Sequence, residues 1–223
     1  ACNEIVADPS IRCVILTGAG RAFSAGGDVK AMKEGTGAFG GAPHDIREGY
    51  RRNIHMIVKS LYNLEVPMIA AVNGAAIGLG CDVACMADIR IASDKAKMGV
   101  TFLKLGLIPG DGGAWLLPRL IGSSRAAELL FTGKVIDAAT AEEWGLVSKV
   151  VPGDALMDED PDAARCERIL RNHYGNVRRL PGPHAQDRGS YGRRQRHSRK
   201  AHTGFQRPLG HDTICIKTLD GID

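Results

Sequence analysis

Two kinds of residue in this 223-residue chain could do chemistry together: glycines that bare backbone N–H groups, and carboxylates set among them. Residues 21–32, RAFSAGGDVKAM, follow an apolar run and place Gly26 and Gly27 ahead of an acid and a helix-like stretch. Glycines just after a strand let a ligand or another backbone approach closely. A second run, GAAIGLG at 74–80, leads into CDVACMAD and so puts Asp82 in the first turn of an expected helix. A third, IPGDGG at 108–113, sets Asp111 between glycines. Neither glycine run is a phosphate cradle, since GxGxxG spacing is absent and no Gly-Lys-Ser/Thr follows. Asp82 could instead serve the free amides of a helix start, and Asp111 could serve a turn. If both face an apolar ligand, desolvation raises at least one pKa and fits it for acid–base work.

These groups need rigid elements behind them. IRCVILT (11–17) and MIAAVNG (68–74) are branched apolar runs without alternation, the pattern of parallel strands covered on both faces. IRIAS (89–93) reads as a third strand. NIHMIVKSLYNLEVP (53–67) has apolar residues at helical spacing and stops at Pro67. SRAAELLFTG reads as a helix with a serine cap and a glycine stop, and TAEEWG as a helix capped by Thr140 with Glu143 completing a capping box. Strands alternating with helices give an α/β class with a largely parallel sheet. GTGAFGGAPHDIREGY (35–50) reads as a mobile loop, with His44 a solvent-exposed loop residue or, in the alternative, a catalytic one. Trp115 and Phe102 would line a pocket or fill core.

Composition, 44% hydrophobic and 24% charged, is that of a globular domain with a sizeable core. No apolar run reaches the ~18 residues of a membrane helix, and the first residues lack a basic stretch before an apolar one, so a cytoplasmic protein is expected. The six cysteines form no CxxC pair; Cys81 and Cys85 share a helix face but are read as buried thiols, and no metal site is expected. Charge is uneven. Residues 1–160 carry 16 Lys and Arg against 19 Asp and Glu, whereas 161–223 carry 13 against 6. That basic stretch has no apolar period, and three readings stand open for it: a nucleic-acid-binding tail, a solvated disordered tail, or translation out of frame. Its aromatics are only Tyr174, Tyr191 and Phe205, which gives base stacking little to work with.

RAFSAGGDVKAM, VPMIAAVNGAAIGLGCDVACMADIRIAS, MGVTFLKLGLIPGDGGAWLLPRLIG and AAELLFTGKVIDAATAEEWGLVSKVV together closely resemble the crotonase, or enoyl-CoA hydratase/isomerase, superfamily over about residues 4–153. The resemblance implies a spiral of strand-strand-helix (ββα) units that binds acyl-CoA thioesters. It implies an oxyanion hole of two backbone N–H groups, at Gly27 and at Leu79 just ahead of a helix start. Preorganised donors of that kind are worth roughly 2.7–4 kcal/mol each in a barrier. CoA and acyl contacts are implied for Arg21, Ala22, Ala25, Gly26, Asp28, Val29, Lys30, Gly78, Gly80 and Phe102, with Arg21 and Lys30 either meeting phosphates or standing as exposed charges on a solvated face. No cofactor beyond the substrate's CoA is implied, and the family habit is a homotrimer or hexamer.

Departures from the family pattern shape the expected reaction. Hydratases of the family use two glutamates; here Asp82 stands at the first position and Phe102, which cannot accept a proton, at the second. Asp111 resembles in position the nucleophilic aspartate of the 4-chlorobenzoyl-CoA dehalogenase branch, and family isomerases place an acid near this turn. The expectation is an acyl-CoA enzyme that stabilises a thioester enolate and moves protons through Asp82 and Asp111, an isomerase or related lyase before a simple hydratase. A non-catalytic or RNA-binding member is the alternative. The expected organisation is a crotonase-like core over 1–153 and an atypical basic segment over 154–223, with the family's N-terminal hairpin missing and its C-terminal helical part unrecognisable.

Overall fold

The computed structural model describes residues 2–8, 11–156 and 213–218. A short helix α1 (Cys2–Ala7) leads to strand β1 (Ile11–Thr17), then β2 (Ala22–Ser24) and helix α2 (Val29–Glu34). Helices α3 (Pro43–Arg52) and α4 (Ile54–Tyr62) follow, then β3 (Met68–Val72), β4 (Ala75–Ile77) and α5 (Leu79–Met86). Next come β5 (Ile89–Ser93), β6 (Lys97–Gly99), the long helix α6 (Gly113–Thr132), β7 (Val135–Asp137), α7 (Ala138–Glu143) and β8 (Lys149–Val151). Strand β9 (Thr213–Thr218) is the last described element.

From β1 to β6, successive strands alternate between two sheets. One sheet has the order β8-β5-β3-β1-β9, the other β2-β4-β6-β7. All pairs in the first are parallel, for example Val14 opposite Met68 and Ile69 opposite Ile89. In the second only β7 runs antiparallel to its neighbour. Each turn of chain thus lays one strand in each sheet and then adds helix: β1-β2-α2, β3-β4-α5, β5-β6-α6. This is the ββα spiral that the sequence resemblance implied. The apolar runs are explained by it, because every residue of β3 is buried between layers. The core centres on Phe23, Met98, Leu117 and Leu129, all essentially inaccessible.

Several expectations are corrected. The helix expected over 53–67 ends at Tyr62 with Asn63 as its cap, because the last apolar residues of the run serve the turn into β3. The chain before it is no loop over its whole length: a 3₁₀ turn at Gly37–Phe39 and all of α3 lie within 35–50. Helix α5 starts at Leu79, two residues earlier than read, and β4 precedes it. SRAAELLFTG is the second half of α6, which is broken at Gly122 (φ 78°, ψ 160°). Asp137, not Thr140, caps α7; its carboxylate accepts from the Thr140 N–H at 2.9 Å. Trp115 is half exposed, whereas Phe102 is core. The readings of the basic stretch lie outside the described residues, apart from Thr213–Thr218, which pair with β1 from Ile11 to Thr17. Among the described residues no helix is long and apolar enough to cross a membrane, and no group of three or more metal-ligating side chains occurs.

Candidate active site

The loop from β1 to β2 and the turn from β3 to β4 are fastened by one side chain. Asn73 Nδ2 donates to the carbonyls of Gly18 (3.1 Å), Gly20 (2.8 Å) and Ala22 (3.4 Å), and its Oδ1 accepts from the Gly18 N–H at 3.1 Å. With the loop fixed, the β2–α2 turn lies against the start of α5. Gly26 has φ +93°, and a Cβ there would stand 2.6 Å from the Ile77 carbonyl oxygen and 3.5 Å from the Leu79 nitrogen. Only glycine lets these two segments touch. The contact brings Gly27, one residue on, beside the first turn of α5. Among the described residues no acceptor takes the Gly27 or Leu79 N–H, so both remain available donors. The Leu79 amide belongs to the unpaired first turn of a helix, where the dipole adds partial positive charge.

Asp82 sits in that same turn with 0% exposure. Its Oδ2 accepts from the Gly113 N–H at 3.0 Å, which ties α5 to the start of α6, and its Oδ1 has no partner. Burial pushes the carboxyl up to about 7, against the lowering effect of the Gly113 N–H and with a further push from the Asp111 charge. Asp111, just before the Gly112 cap of α6, is 1% exposed and also has an unpartnered Oδ1. Burial raises it too, while the Tyr50 hydroxyl and the charge of His55 pull it down. The two carboxylates therefore sense one another across the face between α5 and α6.

Phe102 is 7% exposed, and its ring tip lies 4.0 Å from where a Gly78 Cβ would be, setting an apolar wall beside the start of α5. The remaining sequence-read residues lie on the segment around β2 and α2. Arg21, Ala25, Asp28, Val29 and Lys30 are exposed there, with Ala22 half-buried on the strand. Asp28 also has a structural task, since its carboxylate accepts from the Ala31 N–H at 2.9 Å and caps α2. Gly78 and Gly80 are buried at the start of α5. His44 is exposed beside Asp45, as read.

Sequence reasoning missed Tyr50 and His55. Their rings meet edge to face, centroids 5.5 Å apart at 83°. Five residues apart, they would not share a face of one straight helix. The break at Asn53 (φ −112°, ψ −77°) between α3 and α4 turns them together, and no periodicity signals it.

A family model described as enoyl-CoA hydratase/isomerase matches residues 1–201. A protein named probable enoyl-CoA hydratase from Mycobacterium tuberculosis is 42% identical over 159 residues, 71% of this chain and 58% of that protein. The 1,2-epoxyphenylacetyl-CoA isomerase of Escherichia coli is 42% identical over 163 residues, 73% of this chain and 61% of that one. The crystal structure of an enoyl-CoA hydratase from Bacillus anthracis superposes with a TM-score of 0.67 at 39% identity, over 77% of this chain and 63% of that chain. The chain thus spans less than two thirds of the length of these relatives.

Proposed function

This chain belongs to the enoyl-CoA hydratase/isomerase family, and on that premise we propose that it acts on acyl-CoA thioesters through an enolate, as a double-bond isomerase or related lyase. The thioester oxygen accepts from the Gly27 and Leu79 N–H groups, and the α5 dipole favours the negative charge that develops there. CoA lies along the exposed β2–α2 segment, with Arg21 and Lys30 toward its phosphates. Two buried carboxylates in different surroundings divide acid and base work. Asp111, raised by burial against a smaller pull from Tyr50 and His55, takes the proton from the carbon beside the thioester carbonyl. Asp82, pushed up to about 7, carries the proton returned further along the chain. For a 3-enoyl thioester that sequence moves the double bond into conjugation with no net gain or loss of protons.

The observation that carries this reading is the pair of buried carboxylates, each with an unpartnered oxygen, beside the free amides of α5. Phe102 supports isomerisation over hydration, because an apolar ring there offers no second base to an attacking water. The isomerase among the relatives supports it as well. No step needs a cofactor beyond the substrate's CoA, and the homotrimer or hexamer implied by the resemblance belongs to the same proposal.

The test is deuterium uptake from heavy water into 2-enoyl, 3-enoyl, 3-hydroxyacyl and saturated acyl-CoA thioesters, followed by mass spectrometry and absorbance. Conversion of the 3-enoyl thioester, with label at the γ-carbon where the proton is returned and exchange beside the carbonyl in substrate that reverts, is the expected result. Asp82→Asn and Asp111→Asn each lower the rate by ~10²- to 10⁴-fold while CoA binding persists. Label in none of the thioesters, or unchanged rates in both variants, overturns the reading.

A further inference from the structure

Two glycines stand side by side at the start of α6, for different reasons. Gly112 has φ +113°, which side chains rarely adopt, yet a Cβ on it would find ordinary room, 3.5 Å from both Leu116 Cδ1 and Met86 Cε. Gly113 is the first residue of the helix and has no positive φ, so its backbone suits any residue and alanine would be the better helix former. What Gly113 lacks is room. A Cβ there would run into Asp82 Oδ1 and stand 2.8 Å from Asp82 Cγ and 2.9 Å from Oδ2. The Gly113 N–H meanwhile donates to that Oδ2 at 3.0 Å. One buried residue of α6 therefore meets both oxygens of a carboxylate that is 0% exposed: one is bonded, and the other lies where a side chain would stand.

We propose that Gly113 is a positioning residue for Asp82: its N–H holds Oδ2, and its missing side chain gives space to Oδ1, the unpartnered oxygen, as the atom that carries the transferred proton. The inference rests on the reading of Asp82 as the acid. Both halves of this seat are needed. The terminal torsion of an aspartate is broad, so a single hydrogen bond leaves the group free to rock. Close contact of the other oxygen with the Gly113 backbone removes that freedom without adding a second donor, and Oδ1 keeps its capacity to bind a proton. A methyl at 113 shifts the carboxylate by on the order of 1 Å, a misplacement that costs ~10²-fold in rate.

The test is a cycle of Gly113→Ala, Asp82→Ala and the double variant, with Gly112→Ala beside it. Each is followed by kcat and KM for conversion of a 3-enoyl thioester and by the thermal unfolding midpoint. Gly113→Ala lowers kcat by ~10²-fold and moves KM by no more than about threefold. Added to Asp82→Ala, the same substitution costs no more than about twofold, because no carboxylate remains to be displaced. The midpoint falls by ~5 °C when Gly113→Ala is made in the native chain. In Asp82→Ala it stays or rises, since the methyl then enters a vacated place in a helix. Gly112→Ala, whose strain lies in its own backbone, lowers the midpoint in both backgrounds. Equal losses of kcat, or equal falls in midpoint, with and without the Asp82 carboxylate overturn the proposal, since Gly113 would then serve packing alone. Full turnover in Asp82→Ala is a different failure: it sinks the assigned acid, and the proposal with it. If Gly113→Ala does not fold, the double variant decides: a folded chain there supports the seat, and failure to fold overturns it.

Discussion

Helices α5 and α3 both reach the candidate site, and they are built in opposite ways. Helix α5 buries every residue from Leu79 through Cys85, whereas the ten-residue α3 buries none of its residues fully. From α5 come a backbone amide and Asp82; from α3 comes the tip of one tyrosine. The difference teaches how two demands are met. Donors for a developing oxyanion, the role proposed for the α5 amide, must not reorient during reaction, and a main-chain group in a close-packed layer meets that demand. A peripheral helix meets the site through one aromatic side chain, here Tyr50 packed edge to face on His55.

The comparison breaks most readily at Gly26. In Gly26→Ala the added methyl meets the Ile77 carbonyl in a backbone conformation that side chains rarely adopt, and the turn bearing Gly27 must shift. Deuterium exchange should fall by ~10²- to 10³-fold, the usual cost of losing one oxyanion donor. A loss of only a few fold would mean that the α5 side is less rigid than its packing implies.

A smaller effect is expected in how stability depends on pH. The Asp82 carboxyl is raised from 3.8 to about 7 in the folded chain, so between those values the folded state holds more protons than the unfolded one. Stability from this group is therefore present at low pH and lost as pH rises through 7. Asp82→Asn should remove that decline, seen as a flatter course of denaturant midpoints from pH 4 to 8 beside the wild type. Parallel courses would show that α5 does not hold a carboxyl out of water.

The least effect belongs to the outer face of α3. Glu48 pairs there with Arg51 at 3.2 Å and Arg52 at 3.8 Å, all well exposed. Glu48→Ala should cost no more than about 1 kcal/mol in thermal or denaturant unfolding and leave exchange within twofold. A larger loss would contradict the peripheral character of α3.

The same contrast decides what could be read from the sequence. Strands β1 and β5 coincide with the runs IRCVILT and IRIAS, because unbroken branched apolar stretches have few other places to go in an α/β domain. The close approach of the β2–α2 turn to the start of α5 was legible in Gly26 and the GAAIGLG run, since two backbones that touch leave glycine as their mark. The carboxylates were legible as residues, but not their burial, which depends on α5 meeting α6 through the Asp82 to Gly113 hydrogen bond. Tyr50 and His55 left no mark. Their meeting depends on a dihedral at Asn53, and the apolar period of α4 runs smoothly past it. Thr140 misled for a related reason: the acid three residues ahead of it, Asp137, stands at the end of β7 and takes the cap first.

Asn73, whose amide fastens the loops around β2, is followed by Gly74, and Asn-Gly is the pair at which a flexible chain most readily loses its side-chain amide by cyclising onto the next nitrogen. In the folded chain that ring closure is opposed, because Gly74 is buried and the Asn73 side chain is engaged by four contacts. Folding acts here as a preservative. A molecule that lingers unfolded acquires a carboxylate at 73, which can only accept and so faces the carbonyls of Gly18, Gly20 and Ala22 with nothing to give. The fastening residue thus also records the age of the chain, and molecules damaged while open lose the clasp they would need to close again.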